Sequence, residues 1–166
     1  ISTIEKNVIT LEDPVERRMA GINQVQMNNR AGMTFAAALR SVLRSDPDIV
    51  MVGEIRDSET AKIAVEAALT GHMVLLTLHT NDAPGAVTRL DELGVEPFLT
   101  ASSLVGVLAQ RLVRKLCPKC REEYEISHAE LKKIVPDLET YGYNQPSYKL
   151  YKAKGCLTCN NTGYKG

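Results

Sequence analysis

The 166 residues carry 20 Lys+Arg against 20 Asp+Glu, and this even balance argues against a dedicated nucleic-acid binder, which shows a basic surplus. No run of 18 apolar residues occurs, so no membrane-spanning helix is expected, and no charged-then-apolar leader is present. Aromatic residues are only 5%, with no Trp, which leaves Ala, Val, Leu and Ile to build the core and suits helices packed closely on a parallel sheet.

In chain order, Asn7 to Leu11 is a short β-prone run that Pro14 stops, leaving Glu12, Asp13 and Glu16 clustered at its tip. Residues 18–33 show no sustained period, and Asn28-Asn29-Arg30-Ala31-Gly32 marks a turn. From Thr34 the apolar spacing of Phe35, Ala38, Leu39, Val42 and Leu43 predicts a helix that must stop before Asp46, because Pro47 disfavours helix at its predecessor. Ile49 to Gly53 reads as a strand that delivers Glu54 at its end. Asp57 or Ser58 then caps an Ala-rich helix closed by Gly71. A strand over 73–78 ends in His79-Thr80-Asn81. A helix capped by Asn81 or Asp82 follows, with Pro84 in its first turn and Gly94 past its end. A longer helix is expected from Glu96 or Pro97 to Lys115, finishing with the cations Arg111, Arg114 and Lys115. This β-α-β-α-β-α-α order implies an α/β fold with a mostly parallel sheet covered by helices. Ile1 falls inside what reads as a strand approach, so the chain is expected to be a piece of a longer one.

Composition shifts at Cys117, and from there to the end lie all four cysteines and all six tyrosines. One short helix is predicted there, with Ser127 as cap, Glu130 as its capping-box partner, and Pro136 closing it. Cys117-Pro118-Lys119-Cys120 and Cys156-Leu157-Thr158-Cys159 are two C-x-x-C pairs separated by thirty-five residues. Each pair can grip one metal from a tight turn, and together they complete a tetrahedral Cys₄ site, with zinc preferred and rubredoxin-like iron as the alternative. Disulfides need an exporting context that nothing here supplies. A thioredoxin-like motif would use one pair at a helix start. A closed Cys₄ shell has no open position, so its expected role is in folding.

Ligands of open α/β sheets bind outside the carboxyl ends of the strands, where Glu54, His79 and the Glu12, Asp13, Glu16 cluster all fall. A carboxylate in that position can hold Mg²⁺ through water or orient an attacking water in phosphoryl transfer. The bland alternatives are a helix-entry acid for Glu54, a solvated acidic turn for the cluster, and ordinary polar positions for His72 and His79. The phosphate loop G-x-x-x-x-G-K-[ST] does not occur, since no glycine in these residues is followed by lysine.

Ile9-Thr10-Leu11-Glu12-Asp13-Pro14-Val15-Glu16 resembles the acidic Asp box of the secretion ATPases. The stretch from Leu39-Arg40-Ser41-Val42-Leu43-Arg44 through Gly53-Glu54-Ile55-Arg56-Asp57 resembles their Walker B block, and Thr70-Gly71-His72-Met73 through Leu78-His79-Thr80-Asn81 their His box. The cysteine pairs are similar to the tetracysteine module of the type II secretion and type IV pilus assembly members, which retraction ATPases typically lack. The resemblance implies a RecA-like core over 1–116 and a zinc-binding module over 117–166. It implies Glu54 as the glutamate that polarises water and supports Mg²⁺, with Glu12, Asp13 and Glu16 near the metal and γ-phosphate and Glu16 as candidate base. His79, and less directly His72, would sense the γ-phosphate, Cys117, Cys120, Cys156 and Cys159 would hold zinc, and Arg40 and Arg44 would belong to the nucleotide-linked shell. The implied cofactors are ATP, Mg²⁺ and Zn²⁺.

The implied whole is a homo-hexameric ATPase of the bacterial cytoplasm, powering pilus or pseudopilus assembly. It would be peripheral to the inner membrane through platform and adaptor proteins, with no direct nucleic-acid contact. Secretion, pilus extension and DNA uptake stay open. The alternative is a zinc-stabilised interaction module without catalysis that binds an inner-membrane platform protein.

Overall fold

The computed structural model describes residues 3–165. The strand approach expected at Ile1 lies outside them. The chain forms two compact units, Ile1–Ala109 and Gln110–Gly166.

Four parallel strands organise the first unit: β1 (Val8–Glu12), β2 (Asn23–Gln26), β3 (Ile49–Val52) and β4 (Met73–Leu76), in spatial order β2-β1-β3-β4. Val8 pairs with Ile49, and Ile49 in turn with Met73, so the carboxyl ends of β1, β3 and β4 are level. Four helices lie between and after them: α1 (Phe35–Val42), α2 (Ser58–Leu69), α3 (Gly85–Glu92) and α4 (Pro97–Ser103). Because successive strand residues point to opposite faces, Leu11, Val50, Val52, Val74 and Leu76 share one face and meet Leu39, Ala61, Ala64, Leu90 and Val95 in a single core. Leu11, Leu39, Val50 and Val52 are fully buried, and each such side chain is worth roughly 1.5–3 kcal/mol. Val8, Thr10, Ile49, Met51, Leu75 and Thr77 point the other way, into a cavity of about 530 Å³.

The local signals behave as their chemistry requires. Thr34 accepts from Ala37 N at the start of α1, and Asp57 accepts from Thr60 N at 2.8 Å at the start of α2. Gly71, at φ 104°, turns the chain into β4.

Three expectations are corrected. Asn23–Gln26 is a strand within the stretch that showed no period, since its extension depends on pairing with β1 rather than on an alternating pattern of its own. The helix from Pro97 stops at Ser103, not Lys115. Leu104 is already extended, and Val105, Leu108 and Leu112 are almost fully exposed, so no packed apolar face offsets the weak helix propensity of Val105, Gly106 and Val107. Helix α3 begins at Gly85 with Pro84 at its cap position rather than in its first turn, while Asp82 Oδ1 accepts from Gly85 N at 2.8 Å.

The second unit is a two-stranded antiparallel ribbon, β5 (Glu122–Ser127) with β6 (Ser147–Lys152), carrying α5 (His128–Ile134). Ser127 and Glu130 form the expected capping box. Arg121 lies 4.3 Å above the Tyr151 ring and Arg114 3.9 Å above that of Tyr164.

Candidate active site and tetrathiolate centre

Glu54 follows β3 by two residues, and Gly53 is what lets it come close to β1. The Gly53 N–H donates to Leu11 O at 2.8 Å, and a Cβ on Gly53 would sit 2.8 Å from that oxygen and 3.4 Å from the Glu12 Cα. Glu12, Asp13, Glu16 and Glu54 therefore line the same 530 Å³ cavity at the carboxyl edge of the sheet.

The two acids at the strand tips are held differently. Glu54 has both oxygens engaged: Arg56 Nη2 lies 2.5 Å from Oε2 and His79 Nε2 2.6 Å from Oε1. The Arg56 guanidinium brings the Glu54 carboxyl below its ordinary range against the opposing effect of burial, and the bond from His79 adds to it. Glu12 instead receives neutral donors, the Thr10 hydroxyl at 2.6 Å and the Gln24 side-chain amide at 2.9 Å, both on Oε1. Thr77 donates to Gly53 O at 2.5 Å and ties the end of β4 to the turn that carries Glu54.

His79 joins Glu54 from the end of β4 and opens on its other side to a second cavity, about 640 Å³, shared with Asn81, Asp82 and Arg89. His72 is not brought to this group. It precedes β4, at the opposite edge of the sheet, where its Nδ1 lies 3.1 Å from Ala67 O and 3.2 Å from Thr70 Oγ1. Arg40 pairs with Glu59 at 2.7 Å, and Arg44 donates to Arg40 O. Neither lines the acidic cavity.

Sequence reasoning passed over Arg56, Thr10 and Gln24. Arg56 stands two residues after Glu54, which is a usable signal. Gln24 has none, because its approach to Glu12 depends on strand β2.

In the second unit the Sγ atoms of Cys117, Cys120, Cys156 and Cys159 all lie within 4.8 Å of one another. Cys159 Sγ is 3.8 Å from the sulfurs of both Cys120 and Cys156. A tetrahedron with metal–sulfur bonds of ~2.3 Å has edges of about 3.8 Å, the separation of Cys159 Sγ from two of its neighbours, so the donor set suits a tetrahedral metal. Burial pushes the Cys120 thiol up to about 12. Burial acts on Cys159 in the same sense, but N–H donors from Cys156 and Gly163 outweigh it and bring that thiol to about 6. Gly163 supplies its N–H from a left-handed conformation, φ 77°, and a Cβ there would lie 2.6 Å from that of Ala153.

The family described as Type II/IV secretion system protein matches residues 1–166. The chain belongs to this family. It is 58% identical over its whole length to the type IV pilus assembly ATPase PilB of Thermus thermophilus, covering 18% of that protein. It is 56% identical, again over its whole length, to the type II secretion system ATPase E of Vibrio cholerae, covering 32% of it. Among solved structures, the pilus retraction motor PilT with bound ADP is similar at a TM-score of 0.62 and 36% identity, over 68% of this chain and 36% of that one. The α/β architecture with its parallel sheet is thus similar to that of the PilT motor, and the chain spans less than a third of the length of these curated relatives.

Proposed function

We propose that these residues form the hydrolytic side of a RecA-like ATPase that powers pilus or pseudopilus assembly. The observation that carries the reading is the convergence of Glu12, Asp13, Glu16 and Glu54 on one cavity at the carboxyl edge of a parallel sheet, with His79 bonded to Glu54. Four carboxylates suit a hard divalent cation. Glu12, Asp13 and Glu54 would hold Mg²⁺ together with the nucleotide, and the ion would supply charge neutralisation at the phosphates. No G-x-x-x-x-G-K-[ST] loop lies in residues 1–166, so the phosphate cradle is not among them.

Glu54 would orient the attacking water through one oxygen, its ionised state secured by Arg56. Glu16, on the loop across the cavity, is the candidate acceptor for the water proton, with Glu12 and Asp13 facing the metal. His79 links Glu54 to the loop that opens α3, which makes it the residue best situated to couple phosphate occupancy to movement; His72 could act only indirectly. The tetracysteine site would hold one zinc ion in a purely structural role, since four thiolates leave no open position.

The intact protein would work as a homo-hexamer in the bacterial cytoplasm, docked on inner-membrane platform and adaptor proteins. The names of the relatives support an ATPase of pilus assembly or type II secretion.

The test is Glu54→Gln in the full-length protein. ATP should still bind, while turnover falls by about 10²–10⁴, the range for loss of a positioned acid–base group. Turnover near wild type would remove Glu54 from the mechanism.

A further inference from the structure

The candidate base Glu16 sits on a segment without regular structure. Among the described residues, Asp13 to Arg18 make no backbone–backbone hydrogen bond, and a turn follows at Ala20 and Gly21. Among the described residues, three side-chain hydrogen bonds tie residues 13–21 to the rest of the protein, and all three come from two glutamines of β2. Gln26 Oε1 accepts from Val15 N at 3.3 Å. Gln24 Oε1 accepts from Met19 N at 2.7 Å, and Gln24 Nε2 donates to Arg17 O at 2.9 Å. The same Nε2 donates to Glu12 Oε1 at 2.9 Å. The orientation of the Gln24 amide is forced, because both neighbours of Nε2 can only accept and the neighbour of its oxygen can only donate.

Two residues apart on one strand, Gln24 and Gln26 point to the same side of the sheet. They hold the segment immediately before and after Glu16, and Gln24 also takes up one oxygen of Glu12. With Thr10 bonded to that same oxygen, the other oxygen of Glu12 is left to act on whatever occupies the cavity.

We propose that Gln24, supported by Gln26, is a positioning residue that sets both Glu12 and Glu16 for catalysis by clamping the acidic segment over the cavity. This rests on reading the cavity as the ATP-hydrolysing site. Neither glutamine is a catalytic residue; each acts through the acids it holds. An amide suits the task where an acid or a base would not. The charged groups that line this cavity are Glu12, Asp13, Glu16, Arg17 and Glu54, and a fifth carboxylate would repel Glu12. A lysine would form an ion pair and blunt Glu12 as an acceptor.

The test uses the full-length protein, with steady-state ATPase kinetics across pH 6–8 (about the range in which a carboxyl crowded by others can retain a proton) and thermal unfolding in parallel. Gln24→Leu should lower kcat by about 10–100-fold, the usual cost of removing a group that orients a site ligand, with KM for ATP nearly unchanged. Gln26→Leu should show a smaller loss, since it holds one longer bond. Gln24→Glu should match Gln24→Leu at the alkaline end and recover relative to wild type as pH falls, because a protonated Glu at position 24 can again donate to Glu12. An active, Glu54→Gln-sensitive wild type whose Gln24→Leu variant keeps its kcat would overturn the proposal alone. A Gln24→Glu deficit that is equal at every pH, or a loss explained by lowered unfolding temperature, would overturn it as well, leaving only packing. A full-length wild type that does not hydrolyse ATP would overturn the underlying reading and this proposal with it.

Discussion

Stripping the proposed zinc from the tetracysteine cluster should unfold the second unit and leave the parallel sheet intact. The magnitude follows from what the second unit buries. Among its described residues only Cys117, Leu138 and Cys159 are buried apolar residues, and two of these belong to the proposed metal site. Burying Leu138 is worth roughly 1.5–3 kcal/mol. A structural zinc held by such a set contributes about 10–16 kcal/mol at neutral pH. The exposed pairs that decorate the hairpin, Lys149 with Glu123 and Lys154 with Glu122, belong to a class that adds little. A zinc so held would outweigh the burial of Leu138 and these ion pairs together. Elemental analysis of protein purified without chelator should find close to one zinc per chain. Hydrogen exchange after chelation should show protection lost across Glu122–Ser127 and Ser147–Lys152, with Ile49–Val52 unchanged. A hairpin that keeps its protection in metal-free protein, or a preparation that never held zinc, would refute the reasoning.

Gly53→Ala should reduce turnover sharply while leaving the protein folded, because a Cβ 2.8 Å from Leu11 O must push the Glu54 turn away from Glu12; wild-type kcat in this variant would show that the close approach is unnecessary. Asp57→Ala should cost about 1–2 kcal/mol in urea unfolding, since it removes both the cap of α2 and the partner of the buried Thr60 hydroxyl. A change below a few tenths would refute the cap's role. Acid should weaken the first unit. Asp48, lowered by the Asn7 N–H and by Lys6, and Glu54, lowered chiefly by Arg56, have folded-state values below their ordinary ones. Their contribution is complete above that ordinary range and disappears as pH falls from about 5 to about 3. A urea midpoint that stays constant over this interval would contradict the assignment of these pairs.

What could be read along the chain was whatever a few neighbouring residues decide among themselves. Asp57 and the Ser127–Glu130 pair cap helices because a short side chain three residues from an orphan N–H needs nothing more distant. The cysteine pairs mark a candidate metal site because donor identity is a property of sequence, and Glu54 and His79 are marked by their places at the ends of apolar runs. Strand β2 was invisible because Asn23-Gln24-Val25-Gln26 has a single apolar residue and is extended only through its ladder with β1. Residues 104–115 misled in the opposite direction: an apolar, cationic-ended stretch looks helical, yet a helix of this kind is stabilised by burial of its face, and here Val105, Leu108 and Leu112 bury almost nothing. Tertiary structure alone decided that His79 reaches Glu54, that four sulfurs gather into one cluster, and that Gln24 reaches Glu12. Each of these is a meeting of residues from different elements, which spacing along the sequence does not set.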